Sequence, residues 1–278
     1  MVPERAAPLL YESHCHTPLC KHATGLPADY ARVAQARHFR GIIFTDHCPL
    51  PDGISAGLRM APEQFERYVE LIAEVREICR DGPDVRLGLE SDFMPGLEPW
   101  LEELHARVEL HFVLGSVHTH LSEYRARYYQ GDAFAFQQVY FGHLAEAAES
   151  GLFDCLAHPD LVKNERPIDW HFSRIQPHIE RALDRIAATG VAMELNTSGV
   201  NKSFPEMNPG LAMLQLMQAR GIPVVIGADA HRPERVGDGY PNALRMLRSV
   251  GYREVNYFLE RKRHPIAIED ALKSLGEG

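Results

Sequence analysis

Two histidines at the end of a short apolar run are the first residues in this sequence that could do chemistry. His14 and His16 follow the run Leu9–Tyr11. Side chains along an extended strand alternate between its two faces, so residues two apart point the same way. Neutral imidazole is the commonest protein metal ligand. The pair therefore predicts part of a metal site, with Cys15 on the opposite face.

Similar runs, each followed by a polar or coordinating side chain, recur along the chain. Seven aliphatic or β-branched runs predict buried strands, at Leu9–Ser13, Ile42–Thr45, Val85–Leu89, Val113–Val117, Phe153–Ala157, Val191–Leu195 and Ile222–Ala228. The residues that end them are, in chain order, His14 and His16, Asp46 and His47, Glu90, His118, His158, Asn196, and Asp229 with His231. Because ligand-type residues recur at nearly every strand end, the pattern predicts one shared site.

Helical periodicity lies between these runs and indicates the fold. The clearest helical stretches are Pro62–Cys79, Asp132–Ser150 and Ser173–Thr189, the last followed by Gly190 as a left-handed cap. Alternating strands and crossover helices predict an α/β fold, a distorted parallel (β/α)7 barrel of the TIM-barrel type, whose functional residues gather at the carboxyl ends of the strands. A doubly wound open sheet is the alternative, but it would concentrate function at one switch point. No linker divides the chain, so we expect a single barrel domain over residues 1–278.

The composition excludes several classes of protein. The chain is 45% hydrophobic and 24% charged, as in globular domains, and no apolar run approaches the ~18 residues of a membrane span. A net charge of -9 disfavours a nucleic-acid partner. The N-terminus lacks the features of a secretory signal and the five cysteines form no Cys-x-x-Cys pair, so we expect a cytoplasmic protein with reduced thiols. The sequence leaves the oligomeric state open.

These motifs resemble those of the PHP (polymerase and histidinol phosphatase) superfamily, and within it the standalone histidinol-phosphate phosphatases. The resemblance spans essentially the whole chain. It is carried by Ser-His-Cys-His-Thr-Pro-Leu-Cys-Lys-His from Ser13, Phe-Thr-Asp-His from Phe44, Gly-Leu-Glu-Ser-Asp-Phe from Gly88, Gly-Ser-Val-His from Gly115, Ala-His-Pro-Asp-Leu from Ala157, Glu-Leu-Asn-Thr-Ser-Gly from Glu194 and Gly-Ala-Asp-Ala-His-Arg-Pro from Gly227. Asn-Thr-Ser-Gly followed by Lys202 is similar to the histidinol-phosphatase branch specifically.

The resemblance implies a distorted seven-stranded barrel that holds three divalent metal ions. His14 and His16 with Glu90 and Asp229 would hold the first ion, Glu90 would bridge to a second held by His118 and His158, and His22, His47 and His231 would hold the third. Imidazole-rich ligand sets suit zinc, iron or manganese. The implied activity is hydrolysis of a small phosphate monoester, L-histidinol phosphate, to L-histidinol and phosphate in histidine biosynthesis.

Such a cluster implies a cationic pocket suited to a phosphate dianion. We expect in-line attack on phosphorus by a metal-bridging hydroxide, with Glu90 and Asp229 as catalytic carboxylates. Asp46 is expected to orient His47, and protonation of the leaving alkoxide is its alternative role. Further substrate contacts are expected from Lys163, Arg166, Lys202, Asn196 and His120, the last of which could also compete with His118 as a ligand.

Two alternatives remain open from the sequence. The same metal centre could act on nucleotide phosphates or DNA ends, although no basic groove or polymerase domain is visible. An amidohydrolase-type metal hydrolase also begins with His-x-His and ends with Asp. In that class a bridging carboxylated lysine is expected at a later strand, and His22 and His47 are not needed.

Overall fold

The computed structural model describes residues 6–277, in which nine strands form one sheet in chain order and nine α-helices accompany them. The strands are β1 (Tyr11–Cys15), β2 (Gly41–Phe44), β3 (Asp84–Asp92), β4 (Phe112–Ser116), β5 (Cys155–Leu156), β6 (Ala192–Asn196), β7 (Val224–Gly227), β8 (Glu254–Leu259) and β9 (Lys262–Ala267). The helices are α1 (Pro27–Ala36), α2 (Phe65–Ile78), α3 (Glu98–Ala106), α4 (Ser122–Tyr128), α5 (Ala133–Glu149), α6 (Phe172–Thr189), α7 (Leu211–Ala219), α8 (Tyr240–Val250) and α9 (Ile268–Ser274). Among these helices, none combines the length and apolar character that a membrane span requires.

The parallel strands curve into a distorted barrel. β1 to β8 are parallel, each paired with the next strand in the sequence, and β9 turns back antiparallel to β8. The end of β1 also meets the segment after β7, where His16 N–H donates to Ala230 O and Ala230 N–H donates to His14 O, both at 3.0 Å. The distorted parallel barrel predicted from the sequence is confirmed.

A small apolar cluster fills the interior of the barrel, apart from the larger core beneath the helices. Its members come from β1, β2 and β4 to β8, so they lie inside the ring of strands. Tyr11 stacks on Tyr257 with ring centroids 4.8 Å apart, and Phe112 stacks on Phe258 at 5.2 Å. Because Tyr11 and Phe112 begin their strands, β8 packs against the amino-terminal end of the interior and leaves the carboxyl end to polar residues.

The predicted helices form close to their expected bounds. α5 begins after Asp132, whose Oδ1 accepts from Phe134 N–H at 2.8 Å, and α6 ends at Gly190 with φ 76°. The β8–β9 hairpin is what the sequence reasoning missed. Its turn residues, Glu260 and Arg261, adopt φ of 51° and 61°. Glycine or asparagine usually marks such a turn, so the sequence carried no hairpin signal.

The barrel interior predicts a large stability cost for Phe258→Ala. Removal of a ring that is 6% exposed and stacks on Phe112 should lower the free energy of unfolding by about 3 kcal/mol or more. Denaturant titration measures the change. The matched control is Ile168→Ala, since that side chain is 80% exposed and its loss should cost no more than about 0.5 kcal/mol. Equal stability of the two variants would contradict the role given to β8.

Candidate metal centre

The carboxylate of Glu90, near the carboxyl end of β3, lies fully buried between two groups of histidines. Its Oε1 is 2.9 Å from His158 Nε2 and 3.3 Å from His118 Nε2. Its Oε2 is 2.8 Å from His47 Nδ1. One oxygen thus faces the ends of β4 and β5 and the other faces the end of β2, which is the geometry of a bridging ligand.

His14 and His16 reach the same carboxylate from the end of β1. Their Nε2 atoms lie 3.6 and 3.7 Å from Glu90 Oε2, and 3.7 and 3.3 Å from Asp229 Oδ1. Cys15, between them, belongs to the core outside the barrel, as the alternation of strand side chains predicts. The two histidines and Asp229 therefore form one group of potential ligands.

His22, His47 and His231 form another group, with ligand atoms within 4.8 Å of one another. His22 Nδ1 lies 2.8 Å from Cys20 O, and His231 Nδ1 lies 3.1 Å from Asp229 O. A carbonyl oxygen only accepts, so the proton of each neutral ring sits on Nδ1 and each Nε2 presents a lone pair. These two Nε2 atoms face each other at 2.9 Å. A shared cation would satisfy both lone pairs.

Unpaired polar atoms at the centre of the cluster also fit a bound metal. His14 Nε2, His16 Nε2, His47 Nδ1 and Glu90 Oε2 are buried and make no hydrogen bond of good geometry among the described residues, although they approach one another or Asp229 at 2.8 to 3.7 Å. Buried polar atoms are nearly always paired, so their concentration at one point indicates a group that they bind. Imidazole and carboxylate donors together suit a divalent transition metal.

A second layer of buried carboxylates orients the histidine rings. Glu194 Oε1 lies 2.6 Å from His14 Nδ1, and Asp92 Oδ1 lies 2.6 Å from His118 Nδ1. Partners of this kind fix the tautomer and leave Nε2 as the coordinating atom. The sequence reasoning missed both carboxylates, although Asp92 follows Glu90 by two residues and thus shares its face of β3.

Close packing where β1 meets β7 positions the first histidine. The buried Glu12 carboxylate accepts from the N–H groups of His14 and Ala228 at 3.0 and 3.1 Å. A Cβ on Gly227 would lie 2.1 Å from Glu194 Oε1 and 2.6 Å from His14 Cβ. Only glycine therefore lets β7 approach β1 this closely.

The electrostatics at His14 favour positive charge, whereas burial lowers the pKa of His47 and His158. Burial by itself lowers the pKa of His14, but Glu194, Asp229 and Glu90 outweigh it and raise that pKa well above its ordinary value. Burial likewise raises the pKa of Glu90, yet the surrounding histidines hold it well below its usual range. The carboxylates thus stabilise a cation here, whether a proton or a metal ion carries the charge.

A cavity of about 890 Å³ opens over the cluster at the carboxyl ends of the strands. Glu90 and Asp229 line it, together with Lys202 and His120. Lys202 Nζ lies 3.2 Å from Asp229 Oδ2, and Ser198 Oγ donates to the same oxygen at 3.0 Å. The structure therefore places Lys202 and His120 where a substrate could touch them.

The structure does not bring the other two predicted cationic contacts into the cavity. Lys163 is fully buried, and its ammonium donates to Asp160 at 2.8 Å and to Glu206 at 3.0 Å. Arg166 pairs with Asp169 at 2.5 Å on the exposed surface. Both residues follow the β5 histidine in sequence, but Lys163 lies in the 3-10 turn Leu161–Asn164 and Arg166 lies beyond it, and neither side chain lines the cavity.

Asn196 and Asp46 are buried behind the cavity wall and act on other residues. Asn196 Nδ2 donates to Glu194 Oε2 at 3.0 Å, so it supports a carboxylate of the second layer. Asp46 Oδ1 lies 3.3 Å from His16 Nδ1 and accepts from the His47 backbone N–H at 2.8 Å. It orients the ring of His16 and not, as the sequence suggested, the ring of His47. Neither residue lines the cavity, which disfavours Asp46 as the acid for a leaving group.

Known proteins are similar to this chain in sequence and in fold. The PHP domain model matches residues 12–198. The probable histidinol-phosphatase of Deinococcus radiodurans is 38% identical over 266 residues, covering 92% of this chain and 99% of the relative. The histidinol-phosphatase of Bacillus subtilis is 26% identical over 262 residues, covering 82% and 96%. The structure of the Lactococcus lactis histidinol phosphate phosphatase, complexed with zinc, L-histidinol and phosphate, gives a TM-score of 0.74 at 19% identity, covering 92% of this chain and 98% of that one. On the family match and the Deinococcus relative, the chain belongs to the PHP domain family.

Proposed function

We propose that this protein is a metal-dependent phosphomonoesterase that converts L-histidinol phosphate to L-histidinol and phosphate in histidine biosynthesis. The observation that carries the proposal is the buried Glu90, whose two oxygens face different histidines beneath an open cavity. The names of the Deinococcus and Bacillus relatives support this substrate, as do the ligands of the Lactococcus structure.

The cluster is assigned three divalent ions, of zinc, iron or manganese. The ligand sets are His14, His16 and Asp229 with Glu90; Glu90 with His118 and His158; and His22, His47 and His231. Ions of this kind, when bound, lower the pKa of water and stabilise charge on phosphoryl oxygens. Two observations support bound metal ions: the buried atoms at the centre of the cluster that make no hydrogen bond of good geometry, and the Nε2 lone pairs of His22 and His231 that face each other.

Residues from the ends of β6 and β7 act on the phosphoryl group and on the attacking water. Lys202 provides a charge-assisted contact to a phosphate oxygen from the cavity wall. Asp229 Oδ2 is held by Ser198 and Lys202, so Oδ1 stays aimed at the cluster, where it would bind the first ion and can accept a hydrogen bond from the water held there. His120, with its ring centroid 5.1 Å from that of His118, contacts the organic part of the substrate.

The proposed substrate is tested by a panel of phosphate esters. The purified protein should hold a divalent transition metal, and its kcat/KM for histidinol phosphate should exceed that for AMP or a 5′-phosphorylated oligonucleotide by at least about tenfold, or about 1.4 kcal/mol. Chelation should abolish phosphate release, and added metal should restore it. A higher kcat/KM for the nucleotides would contradict the biosynthetic role, but it would not contradict metal-dependent hydrolysis.

Glu90→Gln tests the bridging ligand. The variant should lose measurable turnover and fall from three metal ions per chain to about one, because the amide removes a charge shared by two ions. Elemental analysis and phosphate release provide the readouts. Glu149→Gln is the matched control, since Glu149 pairs with Arg185 at 2.6 Å, outside the cavity. Full metal content together with full rate in Glu90→Gln would refute the ligand assignment.

Asp92→Asn tests the second layer. Loss of the carboxylate behind His118 should weaken metal binding or activity by about ten- to a hundredfold, because the ring loses the partner that fixes its tautomer. Activity is measured against free metal concentration, and excess metal should restore most of it. A titration that overlays that of the unaltered protein would exclude this role.

A further inference from the structure

Glu165 is an acidic residue of the cavity wall that stands outside the metal cluster. Among the described residues that line the cavity, the only other carboxylates are the proposed ligands Glu90 and Asp229. Glu165 directly follows the 3-10 turn after β5, and its side chain is 19% exposed. The proposed mechanism gives this carboxylate no task.

Two donors hold the Glu165 carboxylate in place. Thr119 Oγ donates to Oε1 at 3.0 Å, and Arg125 Nη1 donates to Oε2 at 3.1 Å. The Arg125 guanidinium is itself fixed over the Tyr129 ring, 4.4 Å from its centroid. A carboxylate accepts about four hydrogen bonds, so acceptor capacity remains on both oxygens for a ligand in the cavity.

The cavity wall carries both signs of charge outside the metal cluster: Glu165 is its carboxylate, and Arg59, Lys202, Arg232 and Arg235 are its cations, with Arg59 in a buried pair with Asp92. Lys202 and Arg232, from the segments after β6 and β7, line it with positive charge. Leu121 and Leu161 line it from the segments after β4 and β5, and Glu165 belongs to the same segment as Leu161. A substrate with a phosphate at one end and a cation on a short carbon chain matches this polarity. Its phosphate would lie toward the lysine and the arginine, and its cation toward Glu165.

Glu165 is tied through Thr119 to the segment that carries His118. Thr119, which holds it, directly follows His118, and Glu165 itself lies a few residues beyond His158. Both histidines contact the same Glu90 oxygen. In histidinol phosphate, two carbon atoms separate the ester oxygen from the amine nitrogen. A short-range acceptor beside this part of the cluster is therefore what the amine requires.

We propose that Glu165 binds the ammonium group of the substrate and thereby selects amino-alcohol phosphates over phosphate esters that lack a cation. This inference rests on the proposed function. It makes Glu165 a specificity-determining residue that acts on the organic part of the substrate and does not bind metal.

The test compares two substrates in Glu165→Gln, a neutral variant of the same shape. The kcat/KM for histidinol phosphate should fall about ten- to a hundredfold, mostly through KM, because a hydrogen bond to a charged group is lost in both the bound and the transition state. Glycerol phosphate lacks the ammonium, so its kcat/KM should stay close to that of the unaltered protein. The control variant Glu149→Gln should leave kcat/KM unchanged for both substrates.

Thr119→Val is a second variant that keeps the Glu165 charge and removes one of its fixing donors. It should lower kcat/KM for histidinol phosphate a few-fold and leave kcat/KM for glycerol phosphate unchanged. An equal loss for both substrates in Glu165→Gln, or no loss for histidinol phosphate, would overturn the inference while the proposed function stands. Failure of the unaltered protein to hydrolyse histidinol phosphate would instead overturn the proposed function, and this inference with it.

Discussion

The burial of one carboxylate among imidazoles is the constraint on which the rest of the structure depends. Glu90 is fully removed from water, and an isolated buried charge costs several kcal/mol unless partners compensate it. Here the partners come from three other strands: His47 after β2, His118 after β4 and His158 after β5. The barrel brings these strand ends close enough to surround a single side chain.

Around that carboxylate the charges alternate in layers. Imidazoles surround Glu90, and behind them lie Glu194 and Asp92. Asp92 is in turn held by the buried Arg59 at 2.7 Å. Each layer neutralises part of the next, so a charge removed at one level leaves an uncompensated charge at its neighbour. This explains why so many ionisable groups can be buried at one end of an otherwise apolar barrel.

The sequence predicted what depends on local pattern. Local patterns include the strand runs, the helix periodicity and the placement of ligand-type residues at strand ends. The structure brings His14, Glu90 and the other proposed ligands into one cluster. Residue type alone does not show where a side chain points. The charge of Lys163 predicts a substrate contact, but its ammonium donates to the buried Asp160. The support that Glu194 gives to His14 joins residues 180 positions apart, and no local signal reports such a contact.

The spacing of the cluster along the chain has a consequence for biogenesis. His22 and His231, whose nitrogens face each other, are separated by 209 positions, and the β8–β9 hairpin that packs into the barrel comes later still. Domains fold as units while synthesis proceeds from the N-terminus. A nascent chain thus displays His14, His16 and His22 long before their partners exist. The complete cluster therefore forms only after synthesis has passed His231.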